Sequence, residues 1–450
     1  MLLSYRGFMN TKLYHIVTYG CQMNVHESEK IAGQLYALSY TATDNIELAD
    51  IIIFNTCCIR ESAETKEIGN IGAVKTIKKS RPNVIVAVVG CMTQQKGFAE
   101  NLIKKFPFIN IVLGTHNINK LSNSILSVLN DRKRINEIID SCDYTDKNVP
   151  IIRDRTLNAW VNIMYGCNNF CTYCIVPYVR GREVSRLTEE ILQDVKELVQ
   201  QKNYKIITLL GQNVNSYSSS LNGEKVDFAK LLRLINNIEG EFRIKFMTSH
   251  PKDLSNELIS AIKECKKVSK YLHLPVQSGS TQVLKRMNRR YTREHYLNLI
   301  EKLRTKIPDI ALSTDIIVGF PGETEKDFED TCDLIQKVRY NGAFVFMFSK
   351  RSGTVAETMP NQIELAVKRE RIHRLLEIQK QINNKMADEE IGKKFEVLIE
   401  EVTEKEAIAS TSFGKVVRIK DANLRVGSIV DIIVTNVKGS KLIGEVYLGE

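Results

Sequence analysis

No stretch of this 450-residue sequence approaches the roughly 18 consecutive apolar residues of a membrane-spanning helix, which argues against a helical membrane protein. The opening, MLLSYRGFMNTK, lacks the apolar centre of an export signal, and Met9 is a second candidate start. Prolines are few, nine in all, and tryptophan occurs once. With 43% hydrophobic and 26% charged residues, the composition is that of a folded chain rather than a disordered one. Its length leaves room for two to four domains, each with its own core. Ten cysteines without an export signal argue for a reducing compartment and metal ligation, not disulfides. A cytoplasmic location is therefore expected.

What is present is organised around Cys167-Asn168-Asn169-Phe170-Cys171-Thr172-Tyr173-Cys174, a CxxxCxxC triplet after the apolar run Ala159–Met164. Three thiolates so close together suit a soft metal centre. A structural zinc site usually shows two CxxC-like pairs, and no second pair follows. The C-x₂-C-x₂-C run of bacterial ferredoxins is also absent. A [4Fe–4S] cluster normally takes four cysteines, so this loop would leave one iron without a protein ligand.

Upstream, the chain alternates strand and helix. Strand-like runs at Lys12–Thr18, Ala49–Phe54 and Asn83–Val89 end in TYGCQMN, NTCCIRESAETK and GCMTQQ. Helical patterns lie around Ser28–Leu38, Ser62–Ile77 and Leu121–Leu129. This order predicts an open parallel sheet, with ligands bound beyond the carboxyl ends of its strands. Cys21, Cys57 and Cys91 each sit there, about one βα unit apart, so a second three-cysteine set is expected. Cys58 is adjacent to Cys57, and the spacing alone does not choose between them. Cys142, in the polar stretch DSCDYTDKNV, reads as a free thiol, and Cys265 and Cys332 as core residues on helical patterns.

From Leu157 six strand-like runs recur: Ala159–Tyr165, Lys205–Leu210, Phe242–Thr248, Tyr271–Pro275, Ala311–Val318 and Gly342–Phe348. Helical patterns separate them, which predicts a partial (β/α)6 barrel with polar tips at the strand ends. Gln212, Ser249 and Gln277 are candidate cofactor-binding residues from that position alone. His250 and His273 stay unassigned, because a strand-end histidine is more often a structural hydrogen-bonding group. KRMNRRYTRE, Lys285–Glu294, reads equally as a solvated face or as an RNA-phosphate contact. After a long helical pattern at Glu364–Ala387, five short β-rich pieces predict a small antiparallel barrel of OB-like type. Net charge is uneven: +3 over residues 1–150 (17 − 14), +9 over 151–383 (36 − 27) and −2 over 384–450 (10 − 12). The basic middle is compatible with a polyanionic partner. In the acidic last part, RNA binding would need a local patch such as Lys415, Arg418, Lys420 and Arg425.

Together these parts resemble the radical S-adenosylmethionine (SAM) methylthiotransferases, over essentially residues 12–447. The likeness is greatest to the branch acting on isopentenyladenosine in tRNA. It is carried by TYGCQMNVHESE, NTCCIRESAE, YGCNNFCTYCIVPYVRGREVSR, LLGQNVNSY, HLPVQSGSTQVLKRMNRRYTREHY, STDIIVGFPGETEKDFEDT and FSKRSGTVA. The resemblance implies an N-terminal methylthiotransferase domain (12–130), a radical-SAM partial barrel (153–383) and a TRAM RNA-binding domain (384–450). It implies two [4Fe–4S] clusters: Cys167, Cys171 and Cys174 for the one that binds SAM, Cys21, Cys57 and Cys91 for an auxiliary one. The family pattern NTC selects Cys57 over Cys58, and Tyr173 takes the place of an aromatic near the SAM adenine. The implied activity is methylthiolation at C2 of N6-isopentenyladenosine at position 37 of tRNA, with an electron donor such as flavodoxin or ferredoxin and a monomeric enzyme. Sister enzymes of the same architecture act on threonylcarbamoyl-adenosine or on a ribosomal-protein aspartate. A non-catalytic iron–sulfur RNA-binding or redox-sensing protein is the alternative of a different class.

Overall fold

The computed structural model describes residues 12–58, 61–140, 149–153, 157–421 and 423–447. Met9 and Cys142 lie outside them. The chain forms two compact units, Met1–Asp154 with Ile175–Arg182, and Arg155–Cys174 with Glu183–Glu450. Among the described residues no helix is long and apolar enough to cross a membrane.

The first unit is a doubly wound α/β layer. Its strands are β1 (Lys12–Thr18), β2 (Tyr40–Ala42), β3 (Ile51–Thr56), β4 (Ile85–Gly90), β5 (Ile111–Leu113) and β6 (Ile135–Glu137). They lie in the order β2-β1-β3-β4-β5-β6, every pair parallel. β3 and β4, IIIFNT and IVAVVG, are buried throughout because both faces are covered. Alternate residues feed separate cores: Ile52, Phe54, Val86 and Val88 on one face, Ile51, Ile53, Ala87 and Val89 on the other. Helices α1 (Gln22–Ala37), α2 (Glu61–Ala73), α3 (Lys75–Ser80), α4 (Phe98–Lys105), α5 (Leu121–Asp131) and the short α6 (Val176–Val179) complete this unit. The sequence reading missed β2, β5 and β6, each only three residues long.

In the second unit six parallel strands form the expected partial barrel. β7 (Asn158–Asn162) is followed by the short antiparallel pair β8 (Met164–Tyr165) and β9 (Val184–Ser185), between which the cysteine triplet is strung. β10 (Ile206–Leu210), a hairpin of β11 (Ser218–Leu221) and β12 (Glu224–Asp227), β13 (Arg243–Phe246), β14 (Tyr271–His273), β15 (Ala311–Val318) and β16 (Gly342–Met347) follow. Backbone bonds from Ile244 N to Lys267 O and from Ser269 N to Ile244 O join the β13-β10-β7 and β14-β15-β16 sheets into one curved wall. Helices α7 (Thr188–Lys196), α8 (Phe228–Asn236), α9 (Asn256–Glu264), α10 (Thr281–Arg286), α11 (Arg293–Lys306), α12 (Glu325–Val338) and α13 (Leu365–Asp388) line its outside. Several start on side-chain caps (Asp227, Ser255, Ser280, Thr292 and Thr324), each accepting from a first-turn N–H. Cys265 is buried in this core and Cys332 packs against it, as the helical patterns implied.

All five C-terminal pieces are strands: β17 (Lys394–Val402), β18 (Ala407–Thr411), β19 (Val416–Ile419), β20 (Ile429–Lys438) and β21 (Lys441–Val446). They close in the order β17-β18-β19-β21-β20, antiparallel except for the parallel β19–β21 pair. This barrel meets the amino-terminal ends of the larger barrel's strands. Buried Arg243 donates to Ser410 O at 2.6 Å, Lys270 N donates to Ser412 O, and Gly414 lies against Tyr271.

Candidate iron–sulfur and cofactor sites

β1, β3 and β4 are neighbours in register, Thr18 beside Asn55 and Thr56 beside Gly90, so their carboxyl ends form one edge. Cys21, Cys57 and Cys91 all leave that edge. Gly20 has φ +95°, and a Cβ added there would come within 2.4 Å of the Cys57 sulfur. Only glycine lets the β1 turn approach that thiol. Asn24 ties the edge together: its Nδ2 donates to Tyr19 O and Thr56 O, both at 2.9 Å, and its Oδ1 accepts from Arg180 Nη2 at 2.8 Å.

Arg180 is buried among these thiols. Burial opposes its charge, but Cys91, Cys21 and Glu27 outweigh that and raise its pKa. Cys91 is pulled down to about 6, first by a hydrogen bond from Cys58 and, against burial, by Arg180. The Cys58 thiol is pushed up correspondingly by that same bond and by burial. Glu67, raised to about 8 by burial, accepts the Cys57 N–H at 3.1 Å. None of Arg180, Asn24 and Glu67 was singled out from sequence. The available signal was that Asn24 closes TYGCQMN and Arg180 lies in the YVRGREVSR run following the triplet.

The triplet loop of the second unit leaves β8 through Gly166 at φ +71°. Its backbone is held from below by the MNRR stretch. Thr172 N donates to Met287 O and Thr172 Oγ1 to Arg286 O, while Asn288 Nδ2 donates to Asn169 O and Phe170 O. Arg289, buried, donates from Nη1 to Cys171 Sγ at 3.6 Å, and Asn169 Nδ2 to Cys167 Sγ at 3.4 Å. Within Lys285–Glu294, three of the cations serve the fold, whereas Lys285 and Arg290 are exposed. Arg286 is engaged with Gly322 O and Asp327, and Arg293 with Gly279 O, Asp330 O and Asp333, so these guanidinium groups carry structure. Burial pushes the Cys167 thiol up to about 11, and burial also raises the Tyr173 phenol. Tyr173 packs against Val283, Met287, Phe320, Phe348 and Ala356.

At the neighbouring strand ends, Val214 N donates to Thr248 O and Thr248 Oγ1 to Gly211 O. These bonds draw together the loops that carry Gln212 and Ser249. The Ser249 hydroxyl is buried with no hydrogen-bond partner, as a group awaiting a ligand would be. Gln277 has φ +72° and is bridged through its backbone to Asp315 O and Ile317 N. His250 Nδ1 accepts the Lys252 N–H at 3.2 Å, and burial with Arg289 and Lys252 lowers its pKa to about 2.

Among the described residues no three His, Cys, Asp or Glu side chains stand as a ready-made metal site. The thiols bond protein groups instead, Cys91 with Cys58 and Arg180, Cys171 with Arg289. Yet the donors fit iron–sulfur clusters in kind. Each trio is all thiol, and each faces a buried guanidinium able to offset the negative charge of cluster thiolates.

Two family models match the chain, the radical SAM superfamily over residues 161–335 and uncharacterized protein family UPF0004 over residues 13–114. Among solved structures, a radical S-adenosylmethionine methyltransferase, TsrM, from Kitasatospora setae covers 78% of this chain and 74% of its own, with 12% identity and a TM-score of 0.58. That likeness concerns the fold alone. The radical SAM match over residues 161–335, with the relatives below, makes this a radical SAM enzyme. A tRNA-2-methylthio-N(6)-dimethylallyladenosine synthase of Thermoanaerobacter pseudethanolicus is 52% identical over 96% of this chain and 92% of its own length. One of Clostridium perfringens is 49% identical over 97% and 98%. The chain belongs to the family of tRNA-2-methylthio-N(6)-dimethylallyladenosine synthases.

Proposed function

We infer that this chain transfers a methylthio group to C2 of N6-isopentenyladenosine at position 37 of tRNA. The observation carrying this is near-full-length identity of about half to synthases of that name. The C2–H of an adenine is neither acidic nor electrophilic, so side-chain acid–base chemistry does not reach it. Two [4Fe–4S] clusters and SAM supply the homolytic chemistry and the methylthio group that side chains lack.

The chain's own part is to bind and orient. Cys167, Cys171 and Cys174 would hold the SAM cluster, and Cys21, Cys57 and Cys91 the auxiliary one. Each trio is one ligand short of the usual four. Tyr173, Gln212, Ser249 and Gln277 would bind SAM, the partnerless Ser249 hydroxyl being the best supported of them. We read 12–130, 153–383 and 384–450 as the auxiliary-cluster, SAM and tRNA-binding parts. In the last of these, Lys415 pairs with Glu390 and Arg418 with Glu406, which leaves Lys420 and Arg425 as the exposed cations of the patch. An electron donor of flavodoxin or ferredoxin type, a monomeric state and a cytoplasmic location complete the reading.

Nucleoside mass spectrometry of tRNA from a strain lacking this gene tests it. Loss of the methylthio mark with isopentenyladenosine accumulating is expected. Unchanged tRNA, or loss of a mark on threonylcarbamoyl-adenosine instead, overturns the substrate.

A further inference from the structure

On β14–β16, Leu272, Leu312, Ile316 and Val318 pack among the helices. Strand alternation therefore turns Tyr271, His273, Ser313, Asp315 and Phe344 to the inner face of the barrel. They are linked there. Ser313 Oγ lies 2.6 Å from Tyr271 Oη and 2.8 Å from His273 Nδ1. His273 Nε2 lies 3.5 Å from Asp315 Oδ2, and its ring meets that of Phe344 edge to face at 6.0 Å. Asp315 and Phe344 are direct partners in register.

Exposure rises along this chain of contacts. The His273 side chain is 9% exposed, that of Asp315 31%, and Phe344 54%. The buried Tyr271–Ser313–His273 network thus ends 3.5 Å from a half-buried carboxylate that stands beside an exposed phenyl ring. Neither the cysteines nor the candidate SAM residues use them. An exposed ring that can stack and a fixed acceptor beside it are what an unstacked nucleobase takes. A carboxylate selects a base edge with an N–H, and an adenine substituted once at N6 keeps one. Ile317, next along the same face of β15, is half-buried against the Phe320–Phe348 cluster and leaves its remaining apolar surface beside them.

We propose that Phe344 and Asp315 seat the target adenine of the tRNA, Phe344 stacking on the ring and Asp315 accepting its N6–H, with His273 as the residue that positions Asp315. This rests on the tRNA reading above. The same chemistry would suit the adenine of SAM, so the test separates the two sources.

Full-length Phe344→Ala, Phe344→Tyr and Asp315→Asn proteins are titrated with SAM and with two anticodon stem-loop RNAs. One RNA carries isopentenyladenosine at position 37 and the other adenosine. Wild type should prefer the modified RNA. Phe344→Ala and Asp315→Asn should each weaken that binding about tenfold while SAM affinity holds, and Phe344→Tyr should restore it. Unchanged RNA affinity in both variants overturns the seat, and so does a parallel loss of SAM affinity. A wild type that binds neither RNA overturns the tRNA reading and this proposal with it.

Discussion

Arg289 donates from each of its three guanidinium nitrogens: to Cys171 Sγ at 3.6 Å, Pro275 O at 2.7 Å and Tyr291 Oη at 2.9 Å. One residue thereby locks the middle cysteine of the triplet to the strand-end loop after β14. Replacing Arg289 with methionine should leave Pro275 O with only the 3.4 Å bond from the Tyr291 hydroxyl and cost about 1–3 kcal/mol in stability. It should also lower iron retention at the triplet. Both are measurable, by urea unfolding and by iron content in a background where Cys21, Cys57 and Cys91 are alanine. Arg289→Lys keeps the charge but not the fork, and should fall between the two.

Gly20→Ala should cost the auxiliary cluster selectively. The new Cβ would collide with the Cys57 sulfur, and the residue would be left at a φ that only glycine adopts freely. Reconstituted wild type is expected to hold about eight irons per chain and the variant about four. Full iron loading in the variant would show that this edge does not hold iron.

Cys57 and Cys58 should differ sharply. Cys58 donates to Cys91, yet Cys57 is the thiol beside the β1 turn. Cys57→Ala should lose about four irons, whereas Cys58→Ala should keep them. The Cys58 change should still cost about 1 kcal/mol of stability, for the lost hydrogen bond and the small cavity. Equal iron loss in both would reverse the assignment.

The long elements were legible because their periodicity is strong. β15 was read at its full extent, and all six barrel strands and all five C-terminal strands were found. The three-residue strands β2, β5 and β6 carry too few side chains to show a period, so the first sheet was seen at half its width. Cysteine spacing suggested both trios, since Cys21, Cys57 and Cys91 each follow an apolar strand and the triplet lies within eight residues after another. What sequence could not show is pairing across distance. Asn24 with Arg180 spans 156 residues and Arg289 with Cys171 spans 118, and nothing local marks either. A dense basic run does not show which of its cations are already paired. Sequence therefore left MNRRYTRE open between a solvated face and a nucleic-acid contact, and the acceptors of Arg289 and Arg293 lay elsewhere in the chain.

His250 makes stability depend on pH in a direction the structure sets. Folded, its pKa falls from 6.5 to about 2, because burial and the nearby Arg289 and Lys252 disfavour a second positive charge. Protonation would also remove the Nδ1 acceptor that the Lys252 N–H uses. The unfolded chain therefore binds a proton near pH 6.5 that the folded chain refuses. The stabilising contribution is complete above that pH and drains away as pH falls, by about 1.4 kcal/mol per unit. His250→Asn retains an oxygen able to accept the same N–H but cannot titrate. Urea midpoints at pH 7.5 and 5.5 should show the wild type losing about 1.4 kcal/mol more than the variant over that interval. Equal losses would mean that His250 takes up a proton in the folded protein, and that Arg289 and burial do not govern its charge.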